Sequence, residues 1–215
     1  MTREEIIKNR YELLAKTLLA NLNQRGFNAT YAKDSKEAIK QALDYLPKNK
    51  TISWGGCQTL QETGLLDYFR SHEEYKVIDR SLAKSPEEMD KLSHMSAEAD
   101  YFIASANACS LQGELIEIDG RSNRISAICY QAHNVLFLIG MNKVALDYPS
   151  ALQRARNIAA PLNAIRLGKN TPCAKLGYCT DCHDPNSICS NIVTLRKPNI
   201  PGRYRVILIG EDLGY

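Results

Sequence analysis

The sequence predicts an α/β fold: a mixed, mainly parallel sheet flanked by helices, with a small cysteine-rich loop near its C-terminal end. Two observations carry the prediction. Short strand-like segments alternate with amphipathic helical patterns through the first half of the chain, the rhythm of β–α–β units with helices on both faces of a sheet. Val135–Gly140 is an unbroken apolar run, as expected of a strand buried on both sides.

The elements follow in order. Thr2 and Glu5 make a capping box, Ile7, Leu14, Leu18 and Leu22 recur at helical spacing, and Gly26 ends the first helix after Arg25. A strand is expected at Asn28–Ala32. Asp34 and Glu37 then open a helix that runs to Leu46, before Pro47. Thr51–Trp54 reads as a strand, Gly55-Gly56 as a turn, and Gln58 as the start of a helix. Val77–Asp79 is a further strand. Ser85-Pro86-Glu87-Glu88 supplies a cap, a proline in the first turn and a capping-box glutamate, for a helix ending near Ala99. Tyr101–Ser105 is a strand. Glu114–Asp119 and Arg124–Cys129 flank Asp119-Gly120-Arg121-Ser122-Asn123 and predict a hairpin. A helix from Pro149 to Ala160 follows, and strands at Ile192–Leu195 and Arg205–Ile209 close the chain. One domain is expected: a helical part over 1–50, the main sheet and helices over 51–165, a cysteine-rich loop over 166–195 and a returning strand over 196–215.

Hydrophobic residues make up 44% of the chain and charged residues 24%, enough apolar content for a core. A net charge of +3, with no basic run interleaved with aromatics, argues against nucleic acid as a partner. The first residues are charged and amphipathic, without the apolar centre of a signal peptide, and no apolar stretch is long enough to span a bilayer. A cytoplasmic location, with no membrane partner, is the expectation.

In sheets of this kind ligands collect at the carboxyl ends of strands. The segment from Gly55 and Gly56 to Thr59 combines a glycine turn with a polar helix start, which suits close approach to an anion or merely a tight turn. Asn107, Asn123, Arg124 and Lys143 bring amides and positive charge to neighbouring strand ends, where they could hold a phosphate or carboxylate. The expected ligand is a small anionic metabolite.

Seven cysteines in a reducing compartment are not a disulfide framework. Cys57, Cys109 and Cys129 lie singly and read as small buried apolar groups. Cys173, Cys179, Cys182 and Cys189 form C-x5-C-x2-C-x6-C. Thiolates so spaced can converge on one metal ion or cluster. The alternative is four uncoordinated or oxidised thiols. The spacing matches neither the bacterial ferredoxin run nor the commonest zinc-ribbon pattern, so zinc and an iron–sulfur cluster both stay open. His183 sits beside Cys182 and could replace one thiolate, although a solvated loop histidine is the simpler reading.

Several of these segments together resemble the LUD domain family, the lactate-utilisation proteins of the LutC type, formerly a domain of unknown function. The resemblance runs from Thr51 to Tyr215. It rests on Gly55-Gly56 with Thr59 and Glu62-Thr63-Gly64, on Ala99-Asp100-Tyr101 with Asn107-Ala108, and on Gly120 with Asn123-Arg124. It continues through Val135 to Lys143, Ala160–Ala164, the cysteine loop and the closing Gly210–Tyr215. Asp181-Cys182 and Ile188-Cys189 are similar to the branch with a C-terminal four-cysteine motif. The resemblance implies a fold like the NagB/RpiA/CoA-transferase group. It also implies support of L-lactate or related 2-hydroxy-acid oxidation, beside iron–sulfur or oxidase subunits. A homodimer stays open, since the sequence does not name the oligomeric state. By analogy with a transferase glutamate, Glu114 is the candidate catalytic carboxylate. The chain departs from the family at Cys57, where serine is common. Two alternatives remain: a stand-alone enzyme acting on a phosphorylated or acyl-CoA metabolite, and a zinc or redox regulatory module.

Overall fold

In the computed structural model, which describes residues 1–215, apolar alternation sorts the chain into layers. A parallel sheet of six strands takes the order β1 (Asn28–Ala32), β10 (Tyr204–Ile209), β7 (Asn134–Gly140), β4 (Tyr101–Ala104), β2 (Thr51–Trp54) and β3 (Lys76–Ile78). Residues of even and odd number in β7 face opposite ways, so each face has its own core. Val135, Phe137 and Ile139 pack with Val206 and Leu208 against Leu18 and Leu22 of α1 (Arg3–Gln24). Leu136 and Leu138 pack with Ile207 and Ile209 against three helices: α2 (Ser35–Tyr45), α3 (Gln58–Thr63) and α4 (Leu65–Ser71). The architecture is a mainly parallel α/β sheet flanked by helices, as the sequence predicts.

A second, four-stranded sheet lies on the side of α1, in the order β8 (Val144–Ala145), β5 (Ala108–Ser110), β6 (Leu115–Asp119) and β9 (Asn191–Leu195). Its antiparallel pairs are β5 with β6 and β6 with β9. Leu115 joins the α1 core, while Ile116 and Ile118 point the other way, onto Ala151, Ala155 and Ala160. Those alanines lie on one continuous helical rod made of α7 (Tyr148–Arg154), a wider π turn over Ala155–Ala159, and α8 (Ala160–Arg166). Pro161 lacks the N–H that a regular α-helix would use there, and the π turn immediately before it absorbs the mismatch.

Three sequence expectations change. The expected hairpin around Gly120 is instead a strand-to-helix turn. After β6 the chain enters α6 (Asn123–Ser126) and a π turn over Ala127–Gln131. Asp119 accepts the backbone N–H groups of Arg121 and Ser122 and so folds the turn, and Ser122 takes the left-handed conformation at φ 65°. The antiparallel partners of β6 come from 108–110 and from 191–195. The strand near Ile192, expected to return to the main sheet together with the last strand, belongs instead to the small sheet, and only the last strand rejoins the main one. Finally, Cys109 is buried, but Cys57 is half-buried and Cys129 exposed. The remaining helices, α5 (Pro86–Ala97) and α9 (Pro172–Leu176), lie beside β2 and in the cysteine segment. No helix is long and apolar enough to cross a membrane.

Candidate functional site

The two sheets meet where β4 ends and the chain crosses through Ser105, Ala106 and Asn107 into β5. A cavity of about 440 Å³ opens at this junction, at the carboxyl ends of β2, β4 and β7. Gly56, Asn107, Asn123, Arg124 and Lys143 line it, and Cys57 joins them. Gly55 and Thr59 stand one layer behind. Thr59 accepts a hydrogen bond from Nζ of Lys143 at 2.8 Å, and Ser105 accepts another at 3.0 Å. Gly55 leaves room for Arg124: a Cβ there would lie 2.9 Å from its Cδ.

Lys143 sits in the short helical turn that follows β7 and is only 3% exposed. Burial pulls its pKa down to about 8, although Cys57 and Glu117 pull the other way. Arg124 projects from α6 beneath the same cavity. Its Nη2 donates to the Ile118 carbonyl at 2.6 Å and to Oδ1 of Asn107 at 3.3 Å. Asn107 Oδ1 also accepts from the Ile118 backbone N–H at 2.8 Å, so the strand crossing and the arginine hold one another in place.

Two carboxylates flank this arginine. Glu117 lies 3.1 Å from Nη2 and Asp119 lies 3.6 Å from Nε. Burial works against the guanidinium, but these two neighbours outweigh it and raise its pKa. Glu117 is fully buried, and neither of its carboxyl oxygens has a well-aligned hydrogen bond despite the close arginine. Burial therefore pushes its pKa up to about 7, against the pull of Arg124 and Lys143. A buried lysine with a lowered pKa, next to an arginine flanked by two carboxylates, makes this cavity a candidate site for anion binding or proton transfer.

Glu114 lies elsewhere. At the hairpin between β5 and β6 its carboxylate pairs with Arg25, the residue that caps the end of α1, and accepts from the Ser110 hydroxyl. The carboxylate that the fold buries behind the cavity, against Arg124, is Glu117. In Leu115-Ile116-Glu117-Ile118-Asp119 period-two alternation groups Glu117 with Leu115. The opposite face, Ile116 and Ile118, is the more apolar, so the pattern alone would turn Glu117 to solvent, whereas the structure buries both faces.

Cys173, Cys179, Cys182 and Cys189 line a second cavity of about 430 Å³, with His183 and Asp181. The other three thiols are near enough to Cys189 to add to the burial that raises its pKa. Arg156 and the Asp181 backbone N–H approach the sulfur of Cys179, at 3.7 and 3.4 Å. No three His, Cys, Asp or Glu side chains converge at ion-binding distance. Ile118, Ser187 and Ile188 form a wall common to both cavities. At that wall Gly120 passes so near Ile188 that a Cβ would lie 3.0 Å from its Cα.

The LUD domain sequence model matches residues 15–209. No curated protein matches the sequence. Among solved structures the chain is similar to a DUF162 family protein from Deinococcus radiodurans, DUF162 being the LUD domain. The TM-score is 0.54 and the identity 11%, over 93% of this chain and 98% of that one. A weaker likeness to eIF2B delta from Chaetomium thermophilum, at a TM-score of 0.36 and 16% identity, spans 57% of this chain and 54% of that one.

Proposed function

The chain belongs to the LUD domain family, which is associated with lactate utilisation, and on that premise we propose that it supports oxidation of L-lactate or a related 2-hydroxy acid by holding the acid's carboxylate in the strand-end cavity. The observation that carries this reading is the meeting of Arg124 and Lys143 on one cavity floor with Asn107. A guanidinium fork suits a carboxylate. A lysine whose pKa is near 8 is poised to donate to the 2-hydroxyl or to exchange its proton.

Oxidising an alcohol to a ketone removes two electrons and two protons. Lys143 and Glu117 can manage protons only, so the electrons pass to a bound group or to a partner subunit of iron–sulfur or oxidase type. The four cysteines are the residues that would hold such a group. Their donor set is soft thiolate, and they surround a cavity of about 430 Å³. Soft thiolates suit zinc and an iron–sulfur cluster alike, and the proposed electron transfer calls for the cluster. When bound, a cluster supplies one-electron transfer.

Titration calorimetry with L-lactate tests the carboxylate site. Binding by the wild type, weakened about tenfold or more in Arg124→Gln and Lys143→Met, each loss being about 1.4 kcal/mol or more, is the expected result. A wild type that does not bind L-lactate, glycolate or 2-hydroxybutyrate overturns the reading. Metal analysis and a visible spectrum of anaerobically purified protein test the cysteine site: stoichiometric zinc replaces the cluster with a structural ion.

A further inference from the structure

The positive charge around the strand-end cavity exceeds what a monocarboxylate requires. At the floor Arg124 has the Asp119 carboxylate and the buried Glu117 as neighbours, so part of the positive charge there is already matched. The mouth is different. Arg80, from the turn after β3, Arg121, from the turn after β6, and Arg166 and Lys169, at the end of α8, all line the same opening. None of these four forms an ion pair, although the protein has several elsewhere. Arg80 donates only to the Ser93 hydroxyl, and Arg166 only to the Asn163 side chain.

The one carboxylate side chain among the lining residues, that of Asp119, offsets them only in part. It is occupied by the backbone N–H groups of Arg121, Ser122 and Ile125 and by Arg124. Arg80 is half-buried, and desolvation together with the charges of Arg121 and Arg124 lowers its pKa, against the pull of Asp119 and Asp79. Three separate chain segments thus bring like charges together at one mouth, against their mutual repulsion, and the two carboxylates near Arg80 are already engaged, Asp119 with Arg124 and Asp79 with Arg70. A ligand with several negative charges close together is the partner that such an arrangement lacks. Guanidinium forks match phosphoryl oxygens in geometry as well as charge. A cavity of about 440 Å³ is also in the range that holds drug-sized ligands of several hundred Å³, well beyond a three-carbon acid.

We infer that the mouth of this cavity is a diphosphate subsite, so that the protein takes a diphosphate-bearing metabolite or cofactor whose small end reaches the Arg124–Lys143 floor. The inference uses the same cavity as the proposed carboxylate site but does not depend on which acid binds there.

Calorimetry at low and at physiological salt, with inorganic pyrophosphate, ADP, inorganic phosphate, sulfate and L-lactate as separate probes, tests it. Pyrophosphate should bind at least about tenfold more tightly than phosphate or sulfate, and its affinity should fall with added salt. The double variant Arg80→Gln/Arg121→Gln should weaken pyrophosphate about tenfold or more while L-lactate affinity changes less than about twofold, and Arg166→Gln/Lys169→Gln should act in the same direction. All four side chains reach solvent, so circular dichroism and melting temperature should match the wild type. ADP binding at least as tightly as pyrophosphate identifies a nucleotide-type source, and pyrophosphate alone identifies a free or otherwise esterified diphosphate. Pyrophosphate no tighter than sulfate, or unaffected by both double variants, overturns the inference. Absence of L-lactate binding with pyrophosphate binding intact removes the carboxylate reading and leaves the diphosphate subsite standing.

Discussion

Replacing Glu117 by glutamine isolates the electrostatic cost built into the cavity floor. The carboxyl is fully buried and its pKa is pushed up to about 7 from an ordinary 4.5. At about 1.4 kcal/mol per pH unit, ionising it in the folded protein costs about 3 kcal/mol more than in the unfolded chain. Below the unfolded value both states are protonated, and the group contributes nothing. Between the two values the unfolded chain has lost its proton and the folded one has kept it. Stability therefore falls as pH rises from about 4.5 to about 7, and levels off above. Glutamine resembles the protonated acid in shape and cannot titrate. Arg124 keeps Asp119, Asn107 and the Ile118 carbonyl as partners, so its position does not rest on Glu117 alone. Urea denaturation of both proteins at pH 5, 6, 7 and 8 and constant salt measures the effect. The variant should be close to the wild type at pH 5 and more stable at pH 8 by up to about 3 kcal/mol. A stability difference that does not change between pH 5 and pH 8 would refute the argument that Glu117 is held uncharged by burial.

Glu117 and Lys143 together set the pH dependence of anion binding. Glu117 gains negative charge near pH 7 and Lys143 loses positive charge near pH 8, so L-lactate affinity should drop about tenfold or more between pH 6 and pH 9; a flat calorimetric profile would count against the floor residues. Gly55→Ala should weaken L-lactate binding with little change in melting temperature, because the new Cβ would press on the flexible Cδ and Cγ of Arg124 at 2.9 and 3.1 Å. Gly120→Ala should act on the other cavity. Its Cβ would meet backbone atoms of Ile188 at 3.0 and 3.2 Å, parting the cysteine segment from β6, and limited proteolysis should then cut faster between Cys179 and Cys189. Each single alanine variant of Cys173, Cys179, Cys182 and Cys189 should lose bound metal yet keep the circular dichroism of the main sheet, whose core around Val135–Gly140 lies in other contacts. Unchanged metal content in any one variant would exclude that cysteine as a ligand.

The parallel sheet was legible because its strands are local signals. Thr51–Trp54 and Asn28–Ala32 are bounded by turn residues, and β7 is apolar throughout, so pattern alone marks them. The small sheet was harder to see. Ala108–Ser110 and Val144–Ala145 are three and two residues long, too short for a period to register, and both exist because longer neighbours satisfy their backbone groups. The misread turn at Gly120 has a similar cause. Asp119-Gly120-Arg121-Ser122-Asn123 suits a hairpin, and what decides for a helix is Asp119 capping the following N–H groups while Ile125 and Ile128 find a core. Local chemistry permitted both outcomes, and burial chose.

By itself the sequence determined the layered α/β class, the strand-end placement of Gly56, Asn107, Asn123, Arg124 and Lys143, and the grouping of four cysteines in one segment. These follow from periodicity, from turn residues next to strands and from spacing along the chain. Only the tertiary structure decided which charges face each other. Glu114 meets Arg25 from 89 residues away, while Glu117, three residues on, meets Arg124 below the cavity. Arg80, Arg121 and Arg166 belong to three separate segments, yet share one mouth. The physical reason is range. Backbone conformation is governed by neighbours within a few residues, whereas burial, pKa and electrostatic complementarity depend on groups that come together only when the two sheets pack.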